Sequence, residues 1–237
     1  LPLGIFAIAI STVILPSLSR SYASESGSRF ANTLDWGLRL LLLIAVPSAL
    51  ALCVLAKPII ATVFYRGELT VHDVDMAAMS LQAYSVGLVF MMLIKVLAPG
   101  YYSRQDTKTP VKIGLIAMVA NMVFNLILVW PLGHVGLALA TSLSAGLNAL
   151  LLWIGLHRDG SHQFSKQWWL LLRVLLLGSG LLLGWLFFYQ SLYIAWTDIS
   201  SWQRVQHMLL VVSVGVLVYG LGLVLAGLRM RHLRAQD

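Results

Sequence analysis

Long apolar runs dominate the chain, and what varies along it is how they are interrupted. Seven runs, at about 1–18, 36–56, 76–102, 110–131, 135–156, 168–190 and 206–228, are separated by short polar breaks such as "SRSYASESGSR" and "SRQDTKTP". A hydrocarbon core about 30 Å thick needs roughly 20 apolar residues at about 1.5 Å of rise each, and every run after the first meets that length. Barrel strands would instead alternate apolar and polar positions over about ten residues. The pattern therefore predicts an all-α, polytopic membrane helix bundle with seven transmembrane helices. Three local features refine it. Pro47 in "IAVPSALAL" removes a backbone donor and predicts a kink in the second helix. Pro131-Leu132-Gly133 predicts a tight turn between the fourth and fifth helices. "IIATVFYRGEL", after Lys57-Pro58, is short and ends in charge, which predicts an interfacial extension of the second helix.

Composition agrees with a lipid environment. The 237 residues are 59% hydrophobic and 11% charged, where a soluble domain carries about a quarter charged residues. Cys53 is the single cysteine and sits in an apolar run, which fits a small packing residue. The six histidines lie singly in or near breaks. The sequence has no phosphate-cradling glycine loop, no metal-spaced cluster, and no acid and base paired at membrane depth, so it predicts no enzyme and no bound cofactor. The chain opens in mid-pattern on "LPLGIFAIAISTVILP", and the expectation is a fragment whose first span is cut short.

Charge then gives orientation. With seven helices the breaks alternate sides, and one side collects Arg20, Arg29, Arg104, Lys108, Lys112, Arg158, Lys166, Arg229, Arg231 and Arg234, with Arg39 and Arg173 one turn inside. The other side holds Lys57, Arg66 and Arg204. That asymmetry predicts a cytoplasmic C terminus and cytoplasmic Arg20, Arg104 and Arg158 breaks. The same cations suit anionic lipid headgroups, and Arg104 is spaced to pair with Asp106.

Polar groups inside the runs need separate reasons. Lys95 lies nine residues before Arg104, two and a half helical turns deep, at an insertion cost of about 2.5–3.5 kcal/mol. Two readings stay open for it: a cavity or partner faces it, or its stem carries the ammonium to the interface. Asn121 and Asn125 share a helix face, and counting from the turn places Thr141 at the depth of Asn125. Those oxygens suit either a monovalent cation, with a carboxylate from elsewhere, or hydrogen bonding between helices at about 0.6 kcal/mol per contact. Gly136, Ala138, Ala140, Ser144 and Gly146 predict close packing beside them. Gln82, Tyr84 and Ser85 are further polar groups at depth. Trp168, Trp169, Trp196 and Trp202 flank run ends as interface anchors. The last two runs, with only Ser179 and Ser213 as central polar residues, predict lipid-facing helices with no polar pathway between them.

"LAPGYYSRQDTKTPVKIG", "ILPSLSR", "VFYRGELT" and "GHVGLALATSLSAGLNALLLW" resemble the bacterial MurJ/MviN family of lipid II flippases. The resemblance runs from Leu1 to about Trp153 and extends through the final helices. It implies a two-lobe exporter-type fold in the inner membrane. Residues 1–157 correspond to part of the second lobe, and 158–237 to two additional C-terminal helices with a short tail. The substrate it implies is an undecaprenyl-pyrophosphate-linked disaccharide-pentapeptide, flipped by alternating access between this half and a missing N-terminal half. Pro2 resembles the proline that follows a charged cluster in the family, and that cluster precedes Leu1. Under the resemblance Lys95 becomes a cavity cation or gate element and Arg20 and Arg104 belong to the cytoplasmic entrance. Asn121, Asn125 and Thr141 become the candidate coupling site for an ion. Two other functions compete: a cation-coupled exporter of drugs or other lipid-linked sugars, and an inactive scaffold that binds lipid-linked precursors.

Overall fold

The computed structural model describes residues 3–24, 26–159, 167–192 and 196–228. Pro2, Lys166 and the arginines at 229, 231 and 234, all used in the sequence reading, lie outside the described residues. Helices make up the architecture. A π-helical turn at Leu3–Ala7 leads into α1 (Ile8–Ala23), followed by α2 (Gly27–Val54), α3 (Ala56–Phe64), α4 (Val71–Tyr102), α5 (Lys108–Arg158), α6 (Gln167–Ser191) and α7 (Ser201–Leu225). Six helices among the described residues are long and apolar enough to cross a bilayer; α3 is not one of them.

The 51 residues of α5 are two arms rather than one rod. Gly133 has φ +55° and ψ −131°, which breaks the helical path immediately after Pro131. The arms then run back along each other, since Asn121 on the first donates to Ser144 on the second at 3.2 Å. Gly136 allows this approach: a Cβ there would lie 2.6 Å from the Leu128 carbonyl carbon. Thr70 and Asp73 form a capping box that starts α4, and Ser200 with Gln203 forms another that starts α7, each satisfying amides left open at a helix N-terminus.

α4 is the central helix, packed most extensively on α5 and then on α2, with α1 and α3 also against it. The main core lies where α1, α2, α4 and the second arm of α5 meet, around Leu18, Leu34, Leu41, Met92, Tyr101 and Leu156. Small residues bring α4 and α5 together. A Cβ on Gly87 would stand 2.6 Å from the Ser142 Cα, and the Ser142 hydroxyl donates to the Ala83 carbonyl at 2.7 Å. Lower down, the Tyr101 hydroxyl crosses to the Leu152 carbonyl at 2.8 Å, against the bare face of Gly155. The first arm of α5 is the least covered, with Leu115, Met122, Leu126 and Trp130 exposed.

The expected interfacial extension is instead a separate helix. The chain turns at Leu55 (φ −91°, ψ 13°), and α3 buries Ala56, Pro58, Ile60, Ala61 and Thr62 against α4 and α7. Pro58 falls in its first turn, where no intrahelical donor is needed. α6 and α7 pack on each other and dock on α2 and α3.

Candidate functional site

Lys95 projects from the exposed face of α4 and makes no hydrogen bond or ion pair among the described residues. Tyr84, eleven residues earlier, and Tyr102, seven later, fall within about 20° of the same line down the helix, and both are exposed. Leu97, about 200° round the helix from Lys95, is buried in the core, and so is Leu88, which lies on the line between Tyr84 and Lys95. A cation and two phenols thus reach the surface along one line of α4.

The two arginines grouped with Lys95 from sequence are engaged locally. Arg20, exposed at the end of α1, folds back so that its Nε donates to the Pro16 carbonyl at 3.4 Å and a terminal nitrogen reaches the Ser17 hydroxyl at 3.5 Å. Arg104 lies over the rings of Phe30 and Tyr101, at 5.8 and 5.3 Å from their centroids. Its Nε donates to the Gly100 carbonyl and a terminal nitrogen meets the Asp159 carboxylate at 3.5 Å. It thus clips the ends of α2, α4 and α5 together. Asp106, the partner expected for it, accepts from the Thr109 amide at 3.0 Å and caps α5. Hydrogen bonds from the side chain and backbone of Thr109 hold the Asp106 carboxyl below its ordinary range, with the Arg104 charge a smaller influence.

The asparagines of the α5 hairpin meet a different residue from the one expected. Asn125 donates to the Asn121 side-chain oxygen at 3.0 Å, and Asn121 donates onward to Ser144. The Thr141 hydroxyl turns back to the Leu137 carbonyl at 3.0 Å, and Thr141 joins the chain only through its own carbonyl, which accepts from Ser144 at 3.0 Å. The Asn125 side-chain oxygen is buried with no partner among the described residues. The result is a hydrogen-bonded string between the two arms with one oxygen left open. Of the other polar groups at depth, Gln82 donates to the Cys53 carbonyl of α2, and the Ser85 hydroxyl turns back to the Gln82 carbonyl of its own helix.

Sequence reasoning missed a second polar system, on α2 and the last two helices. Asp35 is buried, holds Arg39 at 2.9 Å, and accepts from the indole of Trp168; Arg39 also donates to Gln167. Trp168 is thus a half-buried donor to a carboxylate, while Trp169 and Trp202 are strongly exposed as anchors should be. At the opposite end Gln190 donates to the Val54 carbonyl at 2.7 Å, and buried Arg204 donates to the carbonyls of Ala61, Tyr65 and Thr197 at 3.0–3.3 Å while lying over the Tyr65 ring. Arg204 therefore meets the negative end of the α3 dipole. Between these ends an apolar cavity of about 370 Å³ opens among α2, α3, α6 and α7. The spacing of Asp35 and Arg39, four apart on one face, was the available signal.

The same contacts sort the cations by end. Arg104 with Asp159 and Phe30, and Arg39 with Gln167, join one end of the bundle; Lys57 with Asp75 at 2.5 Å, and Arg204 with Tyr65, belong to the other.

Comparison with known proteins agrees with this architecture. The profile of the lipid II flippase MurJ family matches residues 1–220. The chain is 47% identical to the probable lipid II flippase MurJ of Vibrio cholerae over 99% of its own length and 45% of that protein's. It is 44% identical to that of Haemophilus influenzae over 100% and 47%. A solved structure of lipid II flippase MurJ in an inward closed conformation superposes with a TM-score of 0.72 at 27% identity, covering 93% of this chain and 43% of the other. The chain spans about half the length of the curated relatives it matches. On the family match and the shared fold together, the chain belongs to the lipid II flippase MurJ family.

Proposed function

We propose that this chain works as the C-terminal half of a flippase that carries lipid-linked peptidoglycan precursor from the cytoplasmic to the outer leaflet of the inner membrane. The family match over residues 1–220 carries the reading. In it, the chain crosses the membrane seven times, with the arms of α5 counted separately and the Arg104 end and the C terminus cytoplasmic. Residues 1–157 supply part of one of two lobes, and 158–237 supply the two accessory helices. The exposed stripe of Tyr84, Lys95 and Tyr102 faces the other lobe across a central cavity. There the Lys95 ammonium pairs with the diphosphate of the undecaprenyl-linked headgroup, while the polyprenyl tail stays in lipid.

Arg20 and Arg104 take different parts. Arg20 is exposed and held only by its own helix, so it is free to meet substrate at the cytoplasmic mouth, whereas Arg104 braces the lobe. The Asn121–Asn125–Ser144 string holds the α5 hairpin closed, and its open Asn125 oxygen is the point at which a monovalent cation would enter. The chemistry is transport and breaks no covalent bond.

The test is a depletion-rescue assay on the full-length protein, scoring lipid II on the outer leaflet for wild type, Lys95→Ala and Asn125→Leu. Wild type is expected to rescue, and Lys95→Ala to lose rescue by tenfold or more, on the order of one charge-assisted contact, at normal accumulation. Failure of the wild type sinks the flippase reading in favour of an exporter or scaffold. Full rescue by Lys95→Ala removes that lysine from the pathway.

A further inference from the structure

Pro47 has no N–H, so the carbonyl four residues earlier in α2, that of Leu43, has no helical donor. Such a group in a membrane helix must find a partner elsewhere. The Tyr219 hydroxyl of α7 donates to it at 2.7 Å. The donor comes from 176 residues away and reaches across the apolar cavity that Leu43, Pro47 and Tyr219 all line.

The path of that side chain is built. α6 and α7 cross at a pair of glycines, where a Cβ on Gly222 would stand 2.8 Å from the Gly178 Cα. Gly178 also leaves room for the tyrosine, because a Cβ there would lie 2.9 Å from the Tyr219 ring. The absence of a side chain on α6 at this level is what lets the Tyr219 ring lie over it and extend to α2.

We propose that Tyr219 is a positioning residue for α2 at Pro47, its hydroxyl replacing the hydrogen bond that Pro47 cannot make. Beyond Pro47, Ser48, Ala51 and Leu52 of α2 line the cavity and Leu55 begins the turn into α3. Tyr219 therefore fixes the width of the cavity between α2 and the last two helices, and couples α7 to α2 at membrane depth. This role concerns the protein's own geometry and stands apart from what the protein transports.

Melting of the full-length protein in nanodiscs tests it with a double-mutant cycle. Tyr219→Phe, which keeps the ring, is expected to lower the melting midpoint, and Tyr219→Leu, which also removes the ring packed over Gly178, to lower it further. Pro47→Ala restores the N–H and the intrahelical bond, so in that background Tyr219→Phe is expected to shift the midpoint by less than a third of its effect in the Pro47 protein; Pro47→Ser serves as the second background. Equal shifts in both backgrounds overturn the proposal. So does a Tyr219→Phe protein that melts with wild type, an outcome readable even if neither Pro47 variant accumulates.

Discussion

The contact between α4 and α5 and the contact between α2 and the α6–α7 pair solve the same problem in opposite ways. α4 meets the second arm of α5 backbone to backbone, through Gly87 against Ser142 and Gly155 under Tyr101, and its hydrogen bonds run directly to main-chain carbonyls. α2 packs on α6 and stands off α7 across an apolar cavity, and polar side chains of both helices reach it at Asp35, Leu43 and Val54. Lipid offers little hydrophobic drive for helices to associate, so contact must come from close packing or from hydrogen bonds. Between α4 and α5 small residues bring the backbones together and hydrogen bonds add to that contact; between α2 and α7 the Tyr219 hydrogen bond spans the gap that side chains leave open.

Substitutions that convert one kind of contact into the other sharpen this contrast. Gly87→Leu should have the largest effect, because its added carbons meet the Ser142 backbone rather than a movable side chain. A loss above about 3 kcal/mol is expected, seen as absent folded protein by size-exclusion chromatography in detergent. A normally folded Gly87→Leu protein would show that α4 and α5 do not depend on backbone approach. Asp35→Ala comes next: it strands Arg39 in a nearly dry site and removes the acceptor of Trp168, at about 3 kcal/mol. Melting should fall, and Trp168 fluorescence should move to the red as α6 loosens, while the α4–α5 contact is retained.

The smallest effect lies at the loop between α4 and α5. Since the folded Asp106 carboxyl is held below its ordinary range, its contribution is present at neutral pH and fades as pH falls through the acid range. Asp106→Asn should therefore melt slightly below wild type at pH 7, with the gap closing towards pH 3. A gap that stays constant with pH would assign the effect to shape rather than to charge.

The elements were largely legible because lipid imposes them: runs of sufficient length, a proline and glycine at the α5 turn, and cations gathered at one end. The polar contacts were legible only in part, for a geometric reason. Counting residues from a turn gives depth along a helix, and Thr141 does lie level with Asn125. Which face meets the partner depends on rotation by about 100° per residue, and Ser144 rather than Thr141 points at Asn121. Pro47 announces that the Leu43 carbonyl needs a donor, but nothing local names Tyr219. Treating the last two helices as purely lipid-facing overlooked Arg204 and Tyr219, because tyrosine and terminal arginine also serve as interface anchors in such sequences. The separate α3 was read as an extension of α2 because it is short and ends in charge; Lys57-Pro58 marks the break in sequence, and the backbone turn at Leu55 makes it a helix of its own.

The abrupt turn at Gly133 also bears on how the protein is made. "PLGH" contains no lysine or arginine, so the segment between the arms brings no fixed cation to be carried across the bilayer during synthesis. The Ser144 hydroxyl has the Thr141 carbonyl of its own arm, but the Asn121 amide finds Ser144 only when both arms are present, and an unpaired amide donor in hydrocarbon is costly. Residues 108–158 are thus expected to enter the bilayer as one hairpin, with Lys108, Lys112 and Arg158 at its base as the charges that would set its orientation.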